Sequence, residues 1–258
     1  MPSDKKNVNL LWTGGWDSTF QLLQLLIVHR CHISPYYLLD EDRPSTGMEI
    51  RTMKHIKDRL FKEYPYTQEL LHATLYFVVE DIPPDPEITK TFQDILKRKF
   101  MGIQYEWLAR FCKENAIEDL QLCIHRDDKA HSVIEKMVSE SKNDFQSIFR
   151  VDEKFNTTEE YILFRYYTFP IFNLSKIQMA SIANEQRWNE IMAMTWFCHT
   201  PRRGVKPCGV CGPCVYTIQE GLGWRVPVSS RILSLFVRSF IRPARSMTKR
   251  LFIQMGIL

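Results

Sequence analysis

The sequence predicts a doubly wound α/β fold, a mostly parallel sheet covered by helices on both faces, on three observations. Short apolar runs alternate with longer amphipathic segments along most of the chain. A glycine pair stands directly between the first apolar run and the first helical pattern. The 258 residues, 45% of them hydrophobic, suffice for one sizeable core with a small appendage.

The elements follow in order. Val8-Asn9-Leu10-Leu11-Trp12 is mostly apolar and ends on glycines, as a buried strand does. From Asp17 the period becomes helical, with Phe20, Leu22, Leu23, Leu26 and Ile27 recurring on one side. Pro35 to Leu39 predicts a second strand, Gly47 to Phe61 a basic amphipathic helix, and Ala73 to Val79 a third strand. Three prolines between Asp81 and Pro86 require a loop. A long helix is expected from about Phe92 to Glu114, a fourth strand over Leu120 to Ile124, and a helix over Asp128 to Val138. Ser139 to Glu159 is polar and expected to be a loop or insertion. Ser175 followed by Ile177, Ala180 and Ile182 predicts an N-capped helix.

Composition excludes several classes. Charged residues at 25% and aromatics at 12% belong to a globular chain, not a disordered one. No apolar run reaches the roughly 18 residues that span a bilayer, and Met-Pro-Ser-Asp-Lys-Lys lacks the apolar core of a signal peptide. A cytoplasmic location is the expectation. The net charge of +4 is unevenly spread. No acidic residue follows Glu220, whereas Arg225, Arg231, Arg238, Arg242, Arg245, Lys249 and Arg250 do, so the rest of the chain is slightly acidic.

The most informative segment is Thr13-Gly14-Gly15-Trp16-Asp17-Ser18-Thr19, between the first strand and the first helix. Two glycines let the backbone turn tightly and approach a ligand closely. The helix start presents unpaired amides and the positive end of a dipole, which suits phosphate, and Thr13, Ser18 and Thr19 add hydroxyls. The spacing is not that of the P-loop with its lysine. Ser-Gly-Gly-x-Asp-Ser after the first strand marks the PP-loop ATP pyrophosphatases, and this turn resembles it, with Thr13 keeping the first hydroxyl. The resemblance implies cleavage of ATP between its α and β phosphates and an adenylated substrate.

Seven cysteines in a chain without a secretion signal point to thiols or metal ligands more than to disulfides. Cys198, Cys208, Cys211 and Cys214 cluster in two overlapping C-x-x-C units plus one upstream ligand. Four soft ligands on tight turns suit a closed tetrahedral zinc site of structural role, with an iron–sulfur cluster as the alternative. Cys31, Cys112 and Cys123 lie in apolar patterns.

Together, the glycine turn and Cys-x(n)-Cys-Gly-x-Cys-x-x-Cys resemble the 7-cyano-7-deazaguanine synthase family, over about Val8 to Thr217. That family adenylates 7-carboxy-7-deazaguanine, forms an amide with ammonia and dehydrates it to the nitrile. The resemblance implies ATP and magnesium as well as zinc. It gives Thr13, Gly14, Gly15, Asp17, Ser18 and Thr19 the phosphates, and Lys176 a phosphate contact beside Asp17 and Ser18 in catalysis. Asp127 and Asp128, after the fourth strand, are candidates for a magnesium ligand or for the deazaguanine edge, and Asp128 equally suits a helix cap. A Pro-Gly-Arg-Asn turn expected near Lys97-Arg98-Lys99 is absent, leaving Arg98 as the candidate substrate charge.

The expected domains are residues 1–220, with the zinc site, and a basic amphipathic tail at 221–258. In the tail Ile232, Leu233, Leu235, Phe236, Phe240 and Ile241 interleave with arginines up to Pro243. The tail is a candidate contact for a protein partner, a nucleic acid or an anionic surface, or the face of a homodimer. Functionally, the leading expectation is adenylation of a deazapurine carboxylate followed by attack of ammonia. Relatives in bacterial defence gene clusters imply an alternative acceptor, an amine on a partner protein. A tRNA-thiolating enzyme and a non-catalytic zinc-stabilised binding module are the remaining readings.

Overall fold

The computed structural model describes residues 7–142, 146–202 and 205–236, with Phe236 described by its backbone only. Contacts divide the chain into two compact units. The first takes the described residues up to Asp42 together with Glu49–Trp196; the second takes Arg43–Met48 and what is described from Phe197 on. Along the chain the units meet at Trp196/Phe197, so the cysteine cluster lies in the second unit.

The first unit is organised by a five-stranded sheet with every pairing parallel, in the order β3-β2-β1-β4-β7. The strands are β1 (Asn7–Leu11), β2 (His32–Leu39), β3 (Leu75–Val78), β4 (Leu120–Gln121) and β7 (Tyr167–Thr168). β1 pairs with β2 on one side, Leu10 opposite Pro35, and with β4 on the other, Leu10 opposite Gln121. Successive connections leave β1 in opposite directions, so a crevice opens beyond the carboxyl ends of β1 and β4.

Helix α1 (Trp16–Leu23) continues into a π turn over Gln24–Val28. The wider turn shifts the helical register, so Leu22, Leu23, Leu25 and Leu26 are all fully buried. Helix α2 spans Thr46–Glu63, and the short α3 spans Thr67–Leu70.

The expected long helix is two: α4 (Pro86–Leu96) and α5 (Gln104–Glu114). The intervening 97–103 segment carries Gly102, poor material for a helix interior. Both halves still contribute to one core, Ile88, Phe92 and Ile95 from the first and Leu108, Phe111 and Cys112 from the second, so their apolar period reads as continuous.

Helix α6 (Lys129–Ile134) is shorter than expected. The stretch expected to be a polar loop holds an antiparallel hairpin, β5 (Val138–Lys142) with β6 (Ser147–Val151), and the start of α7 (Glu159–Phe164). The hairpin's first strand is largely solvent-facing, which hides the period-2 apolar signal. Helices α8 (Lys176–Glu185) and α9 (Asn189–Met194) complete the first unit. The second unit contains α10 (Gly212–Thr217) and α11 (Val228–Phe236). Of the tail, Arg238, Phe240, Ile241, Arg242, Pro243, Arg245, Lys249 and Arg250 lie outside the described residues.

Candidate active site and four-cysteine centre

The glycine turn leaves β1 where expected. Trp12 is fully buried, its amide donating to the Tyr36 carbonyl at 2.9 Å and its indole Nε1 to Thr19 Oγ1 at 3.1 Å. Thr19 is therefore a buried tie across the turn, its hydroxyl already engaged. Gly14 has φ +67°, the left-handed region. A Cβ there would lie 3.1 Å from Met53 Cγ and 3.2 Å from Thr52 Cγ2, so conformation and space both select glycine. The Gly14 carbonyl accepts from the Trp196 amide at 2.9 Å. Gly15 caps α1 in an extended conformation without a side-chain cap, leaving the first amides of α1 without an intrahelical acceptor. Thr13 Oγ1 and Ser18 Oγ lie 3.5 Å apart at the same turn.

Asp17, in the first turn of α1, faces two other segments. Lys176 Nζ is 3.7 Å from Asp17 Oδ2, and His125 Nε2 is 3.7 Å from Asp17 Oδ1. Asp17 Oδ1 is buried and has no hydrogen-bond partner among the described residues. The His125 side chain is 3% exposed, and its Nδ1 accepts from the Asp127 amide at 3.2 Å. An amide can only donate, so Nδ1 carries the lone pair and the ring proton sits on Nε2, aimed at Asp17.

Two loops are stitched together to hold these groups. The Arg126 amide donates to the Leu174 carbonyl at 2.9 Å, and its guanidinium to the Asn173 carbonyl at 2.6 Å. The Lys176 amide donates to Asp127 Oδ2 at 3.3 Å. Lys176 opens α8, whose start is fixed by a capping box in which Ser175 and Gln178 bond reciprocally.

The remaining candidates divide. Asp127 joins the cluster. Asp128 caps α6, accepting from the Ala130 amide at 2.8 Å, and also accepts from the Tyr105 hydroxyl at 3.3 Å. Burial, then the Asp128 charge, pushes the Tyr105 phenol well up, so it stays a donor. Arg98 is engaged elsewhere, on Glu159 and Glu160 at 3.3 Å each. His125 is a residue that the sequence reading did not single out. Its one signal is its place just beyond the fourth strand, where the crevice opens.

Cys123 is the thiol whose titration feels Asp17. Burial and then the Asp17 carboxylate push it well above the ordinary thiol range, so it is protonated at neutral pH.

In the second unit, Cys198, Cys208, Cys211 and Cys214 bring their sulfurs within 4.8 Å of one another. Cys208 to Cys214 and Cys198 to Cys211 are each 3.9 Å. A single ion bound at about 2.3 Å by four sulfurs needs tetrahedral edges of about 3.8 Å. The Val210 and Cys211 amides donate to Cys208 Sγ at 3.4 and 3.3 Å, and the Cys208 amide to Cys198 Sγ at 3.2 Å. These donors stabilise thiolate. Hydrogen bonding with Cys211 holds the Cys198 thiol at about 12, while bonds from Cys198 and Cys214 pull Cys211 down.

No protein-family model and no curated protein matches the chain. Among solved structures, it is similar to the U34-tRNA thiolase NcsA from Methanococcus maripaludis, determined with its [4Fe-4S] cluster. The identity is 12% and the TM-score 0.40, over 93% of this chain and 74% of that one. What the chain does is therefore inferred from its own residues.

Proposed function

We propose that the protein is an ATP pyrophosphatase of the PP-loop type that adenylates a carboxylate on a deazaguanine-like acid and passes the acyl group to nitrogen. The observation that carries this is the position of Asp17, at the head of the glycine turn, with Lys176 Nζ and His125 Nε2 each 3.7 Å from one of its oxygens. A left-handed glycine, exposed helix amides and a flanking lysine form a cradle for anionic oxygens.

In this reading a substrate carboxylate oxygen attacks the α-phosphorus and the α–β bridging bond breaks. Pyrophosphate leaves with the bridging oxygen. Lys176 neutralises charge on that leaving group. Gly14, Gly15 and Ser18 hold the phosphates by amide and hydroxyl. Magnesium, when bound, would spread the phosphate charge, and the buried Oδ1 of Asp17, without a hydrogen-bond partner among the described residues, is the oxygen that would face it. A nitrogen nucleophile then attacks the acyl carbon and AMP departs.

For the cysteine centre we propose zinc. Sulfur spacings near 3.9 Å suit one shared ion, whereas a cubane puts each sulfur on a different iron and spreads them further apart. All four positions are filled by protein, which makes the role structural.

Arg98, engaged by Glu159 and Glu160, is not offered to a substrate, and a second reading keeps the same activation with an amine on a partner protein as the acceptor. The deciding experiment gives metal-replete protein ATP, magnesium and 7-carboxy-7-deazaguanine, with and without ammonia, and measures pyrophosphate and AMP. Release is expected with an amide product, and with the nitrile where a second ATP adenylates the amide oxygen and AMP carries that oxygen away. Release that stalls at the adenylate supports the diverted acceptor. ATP binding by calorimetry without turnover removes the substrate assignment, and no binding at all leaves the non-catalytic module.

A further inference from the structure

Helix α11 is built inside out. Its Ser230 and Ser234 are 3% and 2% exposed, whereas Val228, Ile232 and Leu235 are 62%, 63% and 65% exposed. A helix on a water-facing domain ordinarily turns its apolar stripe inward. The inversion has a local cause. The helix backbone passes so close to the cysteine loop that a Cβ at Gly209 would lie 2.2 Å from the Ser230 carbonyl oxygen, and Ser230 Oγ donates to the Pro207 carbonyl at 2.8 Å. Only small side chains fit on that face, so the aliphatic ones line the other at i, i+4 and i+7.

The outward face has a second feature. A recess of about 370 Å³ lies along it, lined by Ile218, Val228, Arg231, Ile232, Ser234 and Leu235. Within it Arg231 Nε is buried and has no hydrogen-bond partner among the described residues. An unpaired guanidinium N–H among aliphatic side chains is costly until an anionic oxygen reaches it. The sequence supplies the same pairing in bulk, seven cations and no acid after Glu220, interleaved with isoleucine, leucine and phenylalanine.

We propose that this face of the second unit lies on an anionic phospholipid surface. Val228, Ile232 and Leu235 enter the boundary between headgroups and acyl chains, and Arg231 takes a lipid phosphate. Nucleic acid would reward the cations but not the aliphatic row, which has no base to stack on. A second copy of the chain would bury that row, but the same face of the copy supplies no anionic oxygen to Arg231, since no acid follows Glu220. No described helix is long and apolar enough to cross a membrane, so the association is with the surface.

The test is co-sedimentation of the full metal-replete chain with vesicles of phosphatidylcholine alone, or of phosphatidylcholine with phosphatidylserine. Binding is expected to the mixed vesicles only and to weaken with salt. Arg231→Gln lowers the partition constant about fivefold, as loss of one interfacial cation should. Ile232→Asp lowers it about tenfold or more, by placing a carboxylate at the buried boundary. Protection of the four clustered thiols from alkylation verifies that both variants keep their fold. The proposal is overturned by no binding to mixed vesicles at low salt, by equal binding to neutral ones, or by a homodimer that Ile232→Asp dissolves without any change in vesicle binding. Retention of single-stranded RNA with no retention of vesicles would overturn it too.

Discussion

Asp17 lies between Lys176 and His125, each 3.7 Å from one of its oxygens, and the two neighbours make separable predictions. Asp17→Asn keeps the shape and removes the charge that Lys176 faces. Pyrophosphate release should fall about a hundredfold or more, as when a group set at a transition-state charge is lost. In the proposed site His125, with Nε2 3.7 Å from Asp17 Oδ1, is assigned a positioning role. His125→Gln keeps an N–H donor at a comparable reach and should retain most of kcat, whereas His125→Ala should lose about tenfold in kcat with a smaller change in the KM for ATP. Equal loss in both variants would remove the positioning role. Much of this site was legible. Two glycines and an aspartate at the end of an apolar run define a cradle by chemistry alone. What the residue types could not carry was the division of labour among hydroxyls and carboxylates. Thr19 and Asp128 have the right chemistry, but the indole of Trp12 and the amide of Ala130 engage them. His125 looked like any buried histidine until the Asp127 amide fixed its tautomer.

Among the elements, α4 offers the cleanest test of a local rule. Asp85 accepts from the Ile88 amide at 3.0 Å as its N-cap, with Pro86 in the first turn. Asp85→Ala should cost about 1 kcal/mol at neutral pH, measured by urea unfolding. Burial alone would raise the Asp85 carboxyl, but hydrogen bonds from Lys113 and the Ile88 amide bring it below its ordinary value of 3.8. A depressed carboxylate contributes stability that is present above its unfolded pKa and is lost as pH falls through the folded one. The gap between wild type and variant should therefore hold at pH 5 to 7 and shrink below about 3.8; a gap independent of pH would mean that the cap acts without its charge. The sequence located this helix but extended it through 97–103, because an apolar period survives a break when both halves face the same core. The β5–β6 hairpin was illegible for the opposite reason, since Ser139, Glu140, Ser141 and Lys142 show no apolar alternation.

At the scale of the whole chain, the sheet and the cysteine centre belong to different compact units, which predicts that metal loss is felt unequally. Chelation should make four of the seven cysteines reactive to a thiol reagent and speed amide exchange in α10 and α11. Exchange in β1, β2 and β4 should stay slow. Thiol reactivity unchanged by chelator would argue against a bound ion, and collapse of the sheet would argue against the division. The division itself could not be read from charge or hydropathy, because Arg43–Met48 joins the C-terminal unit across a long separation in sequence.

The strand order has a consequence for how the chain is made. β1 lies at the centre of the sheet, and one of its partners, β2, follows within a short stretch. The other, β4, is translated about 110 residues later. At ribosomal speeds of about 5–20 residues per second, one flank of the central strand waits roughly 5 to 20 seconds for its neighbour. During that interval its free amides and carbonyls, with the leucines beside them, are open to other nascent chains. The yield of native protein should therefore depend on chaperones that shield a first βαβ unit, and slowing translation between residues 40 and 120 should increase aggregation instead of relieving it.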